Sequence, residues 1–290
     1  MSRTTQLCII VTALCSLLSG ITREQYRTWN TPVKPFRIIG NVYYVGASDL
    51  TSFLITSSQG HILLDGGLPE TATQIERNVA ALGFRMKDVK ILLNSHAHFD
   101  HAGGLAKLKY VSGARMVASR EDAPALISGD KDDFAWPGTV DFPAVHVDQV
   151  VGDGETIRMG ETAITAHITS GHTKGCTTWT VPVNNGGRMY HVVFVCSTTA
   201  PGYQLIGNRR YPNIVADYQQ TFRTLRALPC DVFLASHGSF FDLKEKYQAF
   251  ERGQKPNPFI DPNGYRRFID RSEHDFRQRL SEQTAKQTGS

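Results

Sequence analysis

Within six consecutive positions the sequence reads His96-Ala97-His98-Phe99-Asp100-His101, three imidazoles and a carboxylate. Imidazole nitrogen and carboxylate oxygen suit zinc, and a catalytic zinc keeps three protein ligands and an open position for water. Alternate residues of an extended loop share a face, so His96 and His98 project together. Asp100 and His101 come after the turn, at a helix start leading into Ala102-Gly103-Gly104-Leu105. Two groups of donors therefore leave one short segment. Two three-ligand sites need six donors, and the remaining two are offered by His172, in Ser170-Gly171-His172-Thr173, and His237, in Ser236-His237-Gly238. One such histidine alone is more often a hydrogen-bonded bystander; five in matching settings point to a two-metal centre. His61, His146, His167, His191 and His274 lack that company and are read as bystanders, with His167 the best of them to back a ligand. Two cations sharing a water lower its pKa from about 16 toward neutrality, which supplies a nucleophile for hydrolysis without a protein base.

The elements that must hold these residues are short β-rich runs. Ile91-Leu92-Leu93 leads into Asn94-Ser95-His96, Ile62-Leu63-Leu64 into Asp65-Gly66-Gly67, and Val232-Phe233-Leu234-Ala235 into Ser236-His237. Such aliphatic runs fit strands covered on both faces, and loops after strand ends are where α/β proteins bind ligands. Further runs at 36–45, 52–56, 61–65, 89–94, 114–118, 162–168, 177–183 and 188–195 alternate with helical patterns at 70–82, 213–228 and near the C-terminus. No Pro/Gly/Ser-rich linker divides the stretch, so residues 21–290 are expected to form one α/β domain.

The set His96-Ala97-His98-Phe99-Asp100-His101, Gly171-His172-Thr173 and Ser236-His237-Gly238 resembles the metallo-beta-lactamase superfamily over roughly residue 35 to the C-terminus. The resemblance implies an αββα sandwich. Many relatives bridge their metals with an aspartate after the strand at 192–195, where this chain has Cys196-Ser197-Thr198-Thr199 and no carboxylate before Asp217. That departure favours the class B beta-lactamases. Their third subclass implies two Zn2+ per chain, one on His96, His98 and His172, the other on Asp100, His101 and His237, with Asp100 also orienting the attacking water. Longer stretches, Gly171-His172-Thr173-Lys174-Gly175-Cys176 and Ala200-Pro201-Gly202-Tyr203 among them, are similar to the same subclass. Ser197 and Thr199 match hydroxyls that bind the substrate carboxylate, although Thr199 equally suits a turn cap. Tyr203 either lines the pocket or packs in the core. Asp65 either backs a metal ligand or caps the turn at Gly66-Gly67. The expected activity is hydrolysis of the amide bond of penicillins, cephalosporins and carbapenems, hence antibiotic resistance. The rivals are a lactonase or thioester hydrolase of the same fold, and a zinc-binding module without catalysis.

The remaining features bound the setting. Arg3, the apolar run at 7–18 and the small pair Ser19-Gly20 read as a secretory signal peptide over residues 1–20, so a periplasmic or secreted protein without lasting membrane association is expected. A net charge of +4 over 290 residues, without basic clusters, argues against nucleic acid and for a small-molecule partner. No protein partner is evident. Of five cysteines, Cys8 and Cys15 fall in the leader. Cys176, Cys196 and Cys230 then allow at most one internal disulfide. Cys196 is read as a small buried thiol rather than a ligand. In several relatives a cysteine at the position of Cys230 pairs with one near the C-terminal helix, where Tyr265 stands here, so no disulfide is expected.

Overall fold

The computed structural model describes residues 23–137 and 141–288. The leader expected at 1–20 lies outside the described residues. A short helix, α1 (Arg23–Trp29), precedes four strands, β1 (Phe36–Ile39), β2 (Val42–Tyr44), β3 (Phe53–Ser57) and β4 (Gly60–Leu64). Next come α2 (Thr71–Ala81), β5 (Val89–Leu93), the single turn α3 (Phe99–Ala102), α4 (Leu105–Ser112), β6 (Arg115–Ser119), α5 (Ala123–Ser128) and β7 (Gln149–Val151). The second half comprises β8 (Thr156–Met159), β9 (Thr162–Ile168), β10 (Thr177–Asn185), β11 (Arg188–Val195), α6 (Ile214–Ala227), β12 (Val232–Ala235), α7 (Leu243–Glu251) and α8 (Pro262–Thr288).

Among the described residues β1 to β7 form a seven-stranded sheet in chain order, and a five-stranded sheet runs β12-β11-β10-β9-β8. The first four strands pair antiparallel, then β4 to β7 pair in parallel. Parallel neighbours need a crossover, and α2, α3 with α4, and α5 supply one at each step. In the second sheet β11 and β12 are parallel, with α6 between them. Strand alternation explains the unbroken aliphatic runs. Ile62 and Leu64 of β4, and Ile91 and Leu93 of β5, enter the core between the sheets. Leu63 and Leu92 point the other way, into a core with Ile75 and Val79 of α2 and Leu105 and Leu108 of α4. Phe222 of α6 and Phe268, Ile269 and Phe276 of α8 pack into the larger core, and the Tyr218 and Phe276 rings meet at 4.7 Å. Two sheets flanked by helices is the αββα arrangement expected.

The differences lie in short elements. The run at 36–45 is a hairpin that turns at Gly40, whose φ of 49° suits glycine. The strands β7 and β8 and the helices α5 and α7 are not evident in the sequence; each is too short to establish a period of its own. Among the described residues no helix is long and apolar enough to cross a membrane.

The cysteine expectation is overturned. Cys176 and Cys196 form a disulfide with Cα atoms 5.9 Å apart, and Cys196 is therefore not a free thiol. The reason is the β10–β11 hairpin: Trp179 pairs with Phe194, which brings the residues just outside the strands side by side. Cys230 is unpaired, as expected. A peptide map without reductant should recover Cys176 and Cys196 as one linked pair and Cys230 alkylated; separate alkylated Cys176 and Cys196 peptides would contradict the pairing.

Candidate metal centre

All five histidines leave the same edge of the two sheets because the strands carrying them are locked in register. Leu64 pairs with Leu93, so Asp65 and the Asn94–His98 segment emerge together. Val195 pairs with Ala235, so the Ser197–Thr199 segment and His237 do likewise. The sheets are sewn together at this edge by Thr177, whose N–H donates to the Ser95 carbonyl at 2.8 Å, and by Trp179, whose indole donates to the Asn94 carbonyl at 3.1 Å. Buried Asp122 joins two ligand-bearing loops: it accepts from the Ala97 N–H at 3.0 Å, the Thr173 hydroxyl at 2.8 Å and the Gly175 N–H at 2.8 Å. Gly171, at φ 137°, sets the turn before His172; a Cβ there would stand 2.8 Å from the Tyr218 ring.

The donors converge as two triangles. His96, His98 and His172 bring one ligating atom each within 4.8 Å of one another, and His98 Nδ1 faces His172 Nε2 at 3.0 Å. In the second triangle His101 Nε2 stands 3.2 Å from His237 Nε2, and Asp100 Oδ2 lies 3.4 Å from the former and 3.5 Å from the latter. Tetrahedral zinc with bonds of about 2.0–2.1 Å separates its ligands by roughly 3.3 Å, so these spacings fit a cation. The His96 and His101 rings lie 4.3 Å apart, tilted by 43°, which sets the triangles side by side. His96 Nε2 is buried without a protein hydrogen bond, the condition of a nitrogen whose partner is not protein.

Behind each imidazole stands a group that faces its other nitrogen. Ser95 Oγ meets His96 Nδ1 at 3.0 Å, and the Thr199 carbonyl accepts from His172 Nδ1 at 2.8 Å. Asp49 meets His237 Nδ1 at 2.8 Å, while Asp65 stands 3.8 Å from His101 Nδ1 and Asp133 3.7 Å from His98 Nε2. Such backing fixes the tautomer and ring orientation of a metal-binding histidine. The electrostatics follow from crowding. Burial, reinforced by neighbouring imidazoles, pushes His96 and His172 well below the usual histidine range. Burial also takes His101 down to about 3, against the pull of Asp100. For His237 burial acts downward too, but Asp100 and Asp49 outweigh it and raise the imidazole to about 10. Burial would raise the Asp100 carboxyl, yet His101, His237 and His98 hold it well below the usual range.

The structure thus brings together His96, His98, Asp100, His101, His172 and His237. Asp65 adjoins them, and its Oδ1 accepts from Ser95 N–H at 2.7 Å and from Asn94 at 3.0 Å, rather than capping the turn at Gly66-Gly67. Burial raises its carboxyl to about 7 against those donors. The hydroxyls of Ser197 and Thr199 lie 3.2 Å apart, and that of Thr199 is 3.3 Å from His172 Nδ1. Tyr203 sits buried behind His172 and donates to its carbonyl at 2.9 Å. His167 bonds Thr180 instead of a ligand. Sequence reasoning missed Asp49, Asp122 and Asp133. It also missed the wall formed by Tyr26 and Trp29 of α1, with Trp29 5.4 Å from the His237 ring; opposite, Trp136 lies 5.8 Å from the ring of His98.

Several known proteins resemble this chain in sequence and fold. The family model of the metallo-beta-lactamase superfamily matches residues 45–237. The native FEZ-1 metallo-beta-lactamase of Legionella gormanii is 43% identical with a TM-score of 0.86, over 88% of this chain and 98% of that one. BJP-1, a subclass B3 metallo-beta-lactamase of Bradyrhizobium japonicum, is 38% identical with a TM-score of 0.83, over 89% and 98%. A hydroxyacylglutathione hydrolase of Maricaulis maris is 28% identical over 136 residues, 47% of this chain and 43% of that protein. The chain spans less than half the length of the curated relatives it matches.

Proposed function

Because the chain belongs to the metallo-beta-lactamase superfamily, we propose that it is an exported, two-zinc enzyme hydrolysing the amide bond of β-lactam antibiotics in the periplasm. The observation that carries this reading is the pair of donor triangles, with spacings of 3.0–3.5 Å where hydrogen-bond and ion-pair contacts give them. His96, His98 and His172 would hold one Zn2+, and Asp100, His101 and His237 the other. When bound, zinc supplies a Lewis acid for the carbonyl oxygen and an ionised water at neutral pH.

The chain's own residues do the rest. Ser95, Thr199 and Asp49 bond the outer nitrogens of His96, His172 and His237, while Asp65 and Asp133 face those of His101 and His98, so each imidazole keeps one nitrogen turned into the site as charge develops. Asp100, ionised throughout the working pH range, accepts a hydrogen bond from the attacking water and orients it without taking its proton. Ser197 and Thr199 donate to the carboxylate that β-lactams carry beside the ring, and Trp29 and Trp136 offer apolar walls to the substituents. Tyr203 holds His172 in place. The missing carboxylate over residues 196–216 speaks against a thioester hydrolase with a bridging aspartate.

A penicillin, a carbapenem and an acyl-homoserine lactone assayed side by side test the reading. Both β-lactams should be turned over, the activity should vanish on chelation, and about two equivalents of zinc should restore it. Preferential lactone hydrolysis, or β-lactam turnover that survives chelation, would reject it. Zinc uptake should also release protons. His237, raised to about 10 by Asp100 and Asp49, is protonated in the metal-free protein at pH 7 and must lose that proton to bind. His98, which Asp133 and Asp100 raise against burial, adds to that release, so affinity should fall as pH drops, and calorimetry in buffers of different ionisation enthalpy should show net proton release.

A further inference from the structure

The segment after α5 holds a carboxylate that faces two ways. Asp133 Oδ1 accepts from the Ala135 N–H at 2.7 Å and from that of Trp136, closing a tight turn. Its Oδ2 stands 3.7 Å from His98 Nε2, with both side chains buried. His98 Nε2 is buried and without a hydrogen bond, although its other nitrogen faces His172 at 3.0 Å. A neutral histidine that gives its Nδ1 lone pair to a metal must carry its proton on Nε2. That proton points at Asp133. The turn, in turn, sets Trp136, whose ring lies 5.8 Å from His98 and 5.2 Å from Tyr203, itself hydrogen-bonded to the His172 carbonyl.

We propose that Asp133 is a positioning residue that couples metal occupancy at His98 to the placement of Trp136 on the wall of the site, so that the loop at 133–136 seats when the cation is bound. The proposal rests on the two-metal reading above. Closing the gap from 3.7 Å to an ordinary hydrogen bond of about 2.8 Å would draw the carboxylate, and the turn it caps, toward the His98 ring. Asp130 belongs to the same cluster, its carboxylate within 4.8 Å of His98 and Asp133. The Ala135 and Trp136 N–H groups go to Asp133, so Asp130, which shares only the approach to His98, is the natural control.

The test uses the full chain labelled with 5-fluorotryptophan, with Trp136 assigned by Trp136→Phe and fluorine spectra recorded metal-free and with zinc. The decisive variant is Asp133→Asn: its amide oxygen can still cap the turn, but its NH2 meets the His98 N–H as donor against donor. Zinc should shift the Trp136 resonance in the parent chain. In Asp133→Asn that shift should be lost, zinc affinity measured against a competing chelator should fall roughly 10- to 100-fold, and KM for substrates with large substituents should rise more than kcat falls. Asp130→Asn should keep the shift. If Asp133→Asn shows the parent shift and affinity, Asp133 is a turn cap alone; if Asp130→Asn shows the loss instead, the coupling belongs to Asp130. Either result overturns the proposal. A chain that binds zinc and shifts Trp136 but hydrolyses no β-lactam would refute the proposed activity and leave the coupling standing.

Discussion

An Asp100→Asn enzyme should fold normally, bind close to one zinc instead of two, and lose on the order of 10²- to 10³-fold in kcat. Asparagine has the same shape, so α3 and its contacts are retained; what disappears is the only anionic donor of the second triangle. Asp100 Oδ2 lies 3.4 Å from His101 Nε2 and 3.5 Å from His237 Nε2, and two imidazoles with a neutral amide are a far weaker site for a divalent cation. Losing one cation's charge stabilisation removes several kcal/mol from the transition state, and each 1.36 kcal/mol is tenfold in rate. The upward pull on His237 also weakens, because Asp100 is one of the two carboxylates that raise it. Metal analysis after dialysis, with kcat at saturating substrate and melting of the metal-free form, checks the expectation. Two bound zincs with undiminished kcat would show that Asp100 is neither ligand nor orienting group.

The parts of this centre that the sequence announces share one property: each carries a mark in its own stretch of chain. His96, His98, Asp100 and His101 fall within one loop, and His172 and His237 each follow a recognisable strand beside a glycine. The three carboxylates behind them do not have that property. Asp49 reaches His237 across 188 positions, Asp122 reaches Gly175 across 53, and Asp133 reaches His98 across 35. An isolated aspartate in a loop has no pattern to mark it, so only the packed fold reveals what it backs. The disulfide fails to show for a related reason. Whether Cys176 meets Cys196 depends on the register of β10 against β11, and a slip of one residue would turn the side chains to opposite faces. The two-sided strands β4 and β5, by contrast, were plain from composition alone, since burial on both faces demands Ile62-Leu63-Leu64 and Ile91-Leu92-Leu93.

The largest effect on stability is expected at Asp122→Ala, a position outside either donor triangle. Asp122 is buried, and its two oxygens take three hydrogen bonds: from the N–H of Ala97, between His96 and His98; from the hydroxyl of Thr173, next to His172; and from the N–H of Gly175. Burial raises its carboxyl, and these donors oppose the rise. Alanine would leave two backbone donors and a hydroxyl without partners in a place where water does not readily replace them. Each orphaned buried group costs about 1–3 kcal/mol, so a loss of roughly 3–6 kcal/mol follows. For a domain of this size that lowers Tm by about 10 °C or more. Asp122→Asn keeps one oxygen for the Gly175 N–H, and the Thr173 hydroxyl can rotate to accept from the new amide, so about half the loss should return. Zinc binding should suffer as well, because the bonds that vanish hold the His96–His98 loop against the His172 loop. Denaturant melts of both variants, metal-free and zinc-loaded, measure this directly. An alanine variant melting within a degree or two of the parent would mean that the two ligand loops are held by something other than Asp122.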